Sequence, residues 1–257
     1  MFYLLSTFNY FVSIFIFLVG LCVGSFINVL IDRLPNGESI GGRSYCDHCK
    51  KRLEAIDLIP VLSFFFLLGK CRTCHKRLVV QYPIVEFITG VTFLIIWLYF
   101  GFYLTIVQLL AYFLLAAVCI VIVGTDLKYH IIPDSMTALF ILSALVIGKG
   151  DSIATQLSGG VVLFLVLYGI YLVTRGKMMG FGDVKLAFGM GILFGVIDGL
   201  IALYLSFLIG GIVSIFLLLS GKSKLKSKIA FGPFMILGTV LMLLYSQQIH
   251  GVIEKIF

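Results

Sequence analysis

Charge is what this chain has least of. Only 12% of its 257 residues are Asp, Glu, Lys or Arg, about half the share of an ordinary soluble domain. With 61% hydrophobic residues, that scarcity excludes a water-soluble globular fold and points to an integral membrane protein. No charge precedes Asp32, and a cleaved signal peptide needs a basic flank and a small-residue cleavage site. The first apolar stretch, residues 8–31, therefore reads as a retained membrane span. There is no heptad, solenoid repeat or low-complexity tract, which excludes coiled-coil and repeat architectures. No GxGxxG turn is present either, so the glycine fingerprint of a Rossmann nucleotide site is missing.

What is there is a series of apolar runs. A membrane helix needs about 20 apolar residues, and runs follow at about 84–101, 105–124, 136–148, 156–174, 184–197, 199–219 and 231–248. Together with the first they predict an all-α polytopic membrane protein of about eight transmembrane helices, the fourth and sixth of them short. The positive charges orient it. With the N-terminus outside, 17 of the 19 Lys and Arg fall in loops on the cytoplasmic side, leaving only Lys149 and Lys255 elsewhere. Lys and Arg collect on that side of membrane proteins. The net charge of +7 is thus a matter of topology, and nucleic acid is not an expected partner. The expected domains are residues 1–31, a first helix with its N-terminus outside; 32–83, a cytoplasmic insert; and 84–257, a membrane domain of seven helices.

The insert carries Cys46-Asp47-His48-Cys49 and Cys71-Arg72-Thr73-Cys74. Two CxxC turns at this spacing present four thiolates, the donor set of a structural zinc site. Basic neighbours (Lys50, Lys51, Arg52, Arg72) favour the ionised form. The alternatives are two disulfides or free thiols, and a cytoplasmic location argues against disulfides. His48 and His75 read as surface residues, Cys22 and Cys119 as small core residues. Four thiolates leave no open position for water, so zinc here folds the insert rather than reacting. The run Leu58–Leu68 is too short to span; it is expected to pack under the zinc turns, with a place on the membrane surface as the alternative.

Two aspartates fall at the cytoplasmic ends of spans: Asp126, after the third, and Asp183, before the sixth, within Gly180-Phe181-Gly182-Asp183-Val184-Lys185. An ionisable residue at a membrane span is a functional candidate by default. Two carboxylates that converge do not both ionise readily, and they share a proton. The ionised one can then take a proton from water while the protonated one polarises a peptide carbonyl. Gly180 and Gly182 form the expected active-site loop, permitting unusual backbone angles and close approach of a substrate. The plain alternatives are that Asp183 caps its helix and that Asp126 pairs with Lys128 in solvent. Asp134 reads as a helix cap. Asp32 and Glu86 lie near the same face, so residue chemistry alone does not single out one pair.

Several stretches together resemble one family, the type IV prepilin leader peptidases among the GxGD intramembrane aspartic proteases. Gly180–Lys185 matches the GxGD motif with its following valine and lysine. Asp126-Leu127 with Ile132-Pro133-Asp134 is similar to the second aspartate motif. Gly24–Val29 with Arg33-Leu34-Pro35, the paired CxxC turns, and Gln81-Tyr82-Pro83 with Glu86 resemble the N-terminal signature and insert of bifunctional members. The resemblance runs the length of the chain. It implies an enzyme of the bacterial inner membrane that cuts the basic leader from prepilins or pseudopilins on the cytoplasmic side, and that N-methylates the new terminus with S-adenosylmethionine. It implies Asp126 and Asp183 as the catalytic pair and Cys46, Cys49, Cys71 and Cys74 as zinc ligands. The methyl-transfer site is placed no more finely than Asp32 to Glu86. Two other readings remain open: a GxGD protease with other membrane substrates, against which the zinc insert speaks, and a transporter, whose binding carboxylates would lie at the midplane of broken helices rather than at span ends.

Overall fold

In lipid a backbone must satisfy its own hydrogen bonds, and a helix does so within one segment. The computed structural model follows that rule. It describes residues 2–46, 48–148, 152–177, 179–220 and 229–256. Asp47, Lys149 and the loop lysines Lys222, Lys224, Lys226 and Lys228 lie outside the described residues, as does the side chain of Lys255. Among the described residues there are eight α-helices and no strand: α1 (Phe2–Arg33), α2 (Leu62–Phe66), α3 (Gln81–Phe100), α4 (Ile106–Tyr129), α5 (Asp134–Ile147), α6 (Ile153–Thr174), α7 (Phe181–Leu219) and α8 (Gly232–Ile256). Six of them, all but α2 and α5, are long and apolar enough to cross a membrane. The protein is a multi-pass membrane protein; the 14 residues of α5 fall at the expected fourth span and are apolar but shorter than the other six.

The sixth and seventh spans lie within α7, but Gly195 interrupts it with φ 78° and ψ −165°. That is a conformation only glycine adopts at low cost. A Cβ on Gly199 would sit 3.5 Å from Gly191 Cα. Eight residues of straight helix would hold them about 12 Å apart. The chain therefore turns back at Gly195 and the two spans stay distinct.

The chain forms two compact units, Met1–Val121 and Ile122–Phe257. In the first, α1 packs along α3. Small residues bring the two backbones together: a Cβ on Gly20 would lie 2.8 Å from Gly90 Cα, a contact of the kind that drives helix association in lipid. In the second unit α7 is central and packs against α5, α6 and α8. Its core includes Val184, Leu186 and Met190 with Phe140, Leu163 and Met235, all fully buried. Apolar side chains such as Val173, Ile197 and Phe216 stay exposed, as lipid-facing positions do.

Two expectations for the first unit are corrected. Cys22 is exposed on α1, while Cys119 is buried as expected. The run Leu58–Leu68 does not pack under the zinc turns: no residue of α2 is buried, and Phe65, Phe66 and Leu68 are 67%, 84% and 82% exposed. The run was too short to fill a core and too apolar for water, and its local pattern carries no sign of which it meets.

Candidate active site and metal centre

The two CxxC turns are built alike. Cys46 N–H donates to Lys51 O at 3.0 Å and Lys50 N–H to Cys46 O at 2.8 Å. Twenty-five residues on, Cys71 N–H donates to Lys76 O at 2.9 Å and His75 N–H to Cys71 O at 3.0 Å. Lys50 and His75, each just after the second cysteine, both have positive φ, 55° and 54°. Bridges Tyr45–Arg52 and Lys70–Arg77 close the two turns. The signal for this equivalence is in the sequence, Cys-x-x-Cys-x-Lys-Arg-Leu at 46–53 and again at 71–78, a short repeat that a search for solenoid periods misses.

The four sulfurs meet. The ligand atoms of Cys46, Cys49, Cys71 and Cys74 all lie within 4.8 Å of one another, and the Cys46 and Cys74 sulfurs are 3.9 Å apart. Zinc–sulfur bonds of about 2.3 Å arranged tetrahedrally put sulfurs about 3.8 Å apart, so the donor set fits a zinc ion. His48 and His75 are exposed and outside the cluster. The thiols also resist ionising together. The N–H groups of Cys74 and Thr73 lower Cys71 to about 7. Although the Lys76 N–H favours its thiolate, Cys74 is pushed up to about 11 by burial and by the sulfurs of Cys71, Cys49 and Cys46. A divalent cation at the centre removes that conflict. Asp57 ties the second turn down: its Oδ1 accepts from Arg72 Nε at 2.8 Å, and its Oδ2 from the Glu54 N–H at 3.2 Å.

Asp126 and Asp183 are both buried, at 6% and 8% exposure, and each is held by a backbone N–H. Asp126 closes the last turns of α4. Its Oδ2 accepts from the Gly232 N–H, at the start of α8, at 2.8 Å. Asp183 stands in the first turn of α7, and its Oδ2 reaches back to the Gly180 N–H at 3.1 Å. The capping alternative is thus correct as local geometry, and it is the means by which the carboxylate is aimed. The solvent pair with Lys128 is not what holds Asp126.

Ile132 brings the two aspartates to one place. After α4 the chain leaves through His130, at φ 56°, and turns Ile132 inward. A Cβ on Gly182 would lie 3.0 Å from Ile132 Cβ, and one on Gly232 would lie 3.3 Å from Ile132 Cδ1 and 2.7 Å from Asp126 Oδ2. The same side chain therefore abuts the residue before Asp183 and the residue that donates to Asp126. Gly182 and Gly232 are needed for close approach. Gly180 has an ordinary φ of −76°, so unusual backbone angles are not the reason for the glycines at 180 and 182. Asp134 is the first residue of α5, with Pro133 at the cap position, and it pairs with Lys185 of α7. It lies beside the site but faces solvent at 77% exposure.

Asp32 and Glu86, the other acidic candidates, belong to the first unit. Asp32 Oδ2 accepts from Tyr82 Oη at 3.1 Å. Glu86 is buried on α3 and accepts the Val61 N–H at 2.6 Å. Sequence reasoning names Tyr82 and Ile132 only as parts of motifs, without these contacts, and it misses the Val61 donor and Gly232 altogether.

Comparison with known proteins matches both units. The profile of the Bacterial Peptidase A24 N-terminal domain matches residues 18–100, and that of the Type IV leader peptidase family matches residues 113–215. A prepilin leader peptidase/N-methyltransferase of Bacillus subtilis is 32% identical, over 91% of this chain and 94% of its own. The chain belongs to the type IV leader peptidase family. Relatives of the same description from Aeromonas hydrophila and Legionella pneumophila are each 30% identical, over 91% and 96% of both chains respectively. No solved structure matches. The family segments take in the four cysteines and Glu86 on one side and both aspartates on the other; Gly232 lies beyond them.

Proposed function

We propose that this chain is a bifunctional membrane enzyme that removes the leader from prepilins or pseudopilins and N-methylates the residue left at the new terminus. The observation that carries the cleavage is the pair Asp126 and Asp183, buried, brought together by Ile132 and each aimed by a backbone N–H. One carboxylate, ionised, takes a proton from a water whose oxygen attacks the scissile carbonyl carbon. The other carries the shared proton and gives it to the carbonyl oxygen. The proton taken from water is then available to the leaving amine. The substrate's hydrophobic helix lies in lipid and leaves the cleavage junction at the membrane edge. The positive-charge bias supports an outside N-terminus, with the insert 32–83 and the aspartates on the cytoplasmic side of the bacterial inner membrane.

Zinc would be held by Cys46, Cys49, Cys71 and Cys74, with no ligand position left for chemistry, and would fold the insert. S-adenosylmethionine supplies an electrophilic methyl group when bound. Its cationic character suits the buried acceptors Glu86 and Asn28 Oδ1, the latter without a partner. The likeness to relatives described as N-methyltransferases supports its use.

The test is cleavage of a prepilin by the purified protein in lipid. Asp126→Asn and Asp183→Asn should each lower the rate about a hundred- to ten-thousandfold while the protein still inserts and melts normally. Normal cleavage by either variant sinks the assignment of the pair.

A further inference from the structure

Glu86 and Asn28 form a second buried polar cluster, in the first unit, that the cleavage site does not use. Glu86 is 9% exposed. Its carboxylate meets a neutral donor, the Val61 N–H at 2.6 Å. Among the described residues no Lys, Arg or His forms an ion pair with it. α1 runs close alongside, where a Cβ on Gly24 would fall 2.6 Å from Glu86 Cα. One turn further along α1, Asn28 is 5% exposed. Its Nδ2 donates to Tyr82 O at 3.0 Å and to Gly24 O at 3.3 Å, which fixes the orientation of the amide. Its Oδ1 is left buried with no partner.

A carboxylate without a cation and an amide oxygen without a donor thus sit within a turn of each other on two packed helices. Each costs free energy as it stands. Both are acceptors, so the complementary ligand is a small cation rich in N–H groups. We propose that the Glu86–Asn28 cluster is a binding site for a primary α-ammonium group. The proposal rests on the methyl-transfer reading above, in which two participants bear such a group: the N-terminal residue freed by cleavage, and the methionine moiety of S-adenosylmethionine. Where the freed terminus occupies the site, Glu86 takes one proton from R–NH3+, becoming a neutral carboxylic acid and leaving the nitrogen lone pair of R–NH2 free to react. Asn28 Oδ1 accepts one of the remaining N–H groups and orients that lone pair. A purely structural Glu86 would do no more than hold the turn at Val61, whose φ is 61°.

The test is calorimetric binding to the zinc-loaded full chain in lipid nanodiscs. Four probes are used: S-adenosylmethionine, its desamino analogue, a peptide with the mature pilin N-terminus, and the same peptide N-acetylated. At least one amine-bearing probe should bind about tenfold or more tightly than its amine-less counterpart, the range for a hydrogen-bonded charge. Glu86→Gln should remove that preference with zinc content unchanged. Preference for S-adenosylmethionine alone assigns the site to the methyl donor, and preference for the peptide alone assigns it to the acceptor. No amine preference in the unmodified protein overturns the proposal without any variant, as does a preference that survives in Glu86→Gln. Should Glu86→Gln lose its zinc, Asn28→Ala takes its place and must weaken the preference at least about threefold. Mass spectrometry of cleaved substrate with labelled donor separates the two ideas. Methylation without amine preference removes the site and keeps the activity, whereas amine preference without methylation keeps the site and removes the activity.

Discussion

The metal centre and the aspartate pair set the same task, gathering anionic groups that repel one another, and solve it differently. The four cysteines are gathered by two copies of one local turn, each closed by its own backbone hydrogen bonds. The aspartates are gathered by helix ends far apart in sequence: the end of α4, the start of α7 and the start of α8. The first arrangement depends on the cation that would occupy it. The second depends on packing between helix ends. Damage to the first should therefore appear as lost structure, and damage to the second as lost activity with structure intact.

Metal removal is the strongest way to press that difference. Chelation, or Cys46→Ser, should open residues 46–77 to proteolysis, since zinc contributes on the order of 10 kcal/mol to folding in isolated zinc modules. The helices of the second unit should keep their protection in hydrogen exchange. Asp126→Asn and Asp183→Asn should give the converse, the large loss of cleavage described above with the melting temperature nearly unchanged. A large fall in melting temperature would mean that the pair holds the fold rather than the chemistry. Gly232→Ala comes next. Its Cβ would fall 2.7 Å from Asp126 Oδ2, and a shift of the carboxylate by about 1 Å should slow cleavage by up to about a hundredfold while zinc content, measured by elemental analysis, stays the same. Arg72→Ala is the mildest. Its ion pair with Asp57 is 46% exposed on the Arg side, so the loss should be about 0.2–1 kcal/mol of insert stability, read as a small shift in the chelator concentration that opens the insert.

How much of this the sequence carries follows the same division. Cys46, Cys49, Cys71 and Cys74 are legible because spacing and residue type both announce them, and the geometry is local. Asp126 and Asp183 are legible as charges in the wrong place for lipid, and the GxGD motif pairs them. The groups that hold them are not legible. Ile132 looks like any other apolar residue until the turn at His130 directs it inward. Gly195 lies inside an apolar run, so the reversal at that residue shows in the sequence only as two spans with scarcely a gap between them. The exposure of the run Leu58–Leu68 is not legible, because a short apolar segment has the same pattern whether it meets protein or lipid. Glu86 stood out as a charge, but its donor at Val61 is a backbone group 25 residues away.

Both aspartates take their anchoring hydrogen bond from a main-chain amide, at Gly180 and Gly232. A survey that trims side chains one at a time will therefore pass over the groups that aim the carboxylates, since every residue but proline supplies the same N–H. Removing the amide hydrogen itself, by proline or by an ester link at these two positions, would expose the hydrogen bond's own part in the reaction. At Gly180, where a Cβ would meet nothing nearer than 3.5 Å, sequence drift can change the letter without changing the anchor; at Gly232, where it would fall 2.7 Å from Asp126 Oδ2, it cannot.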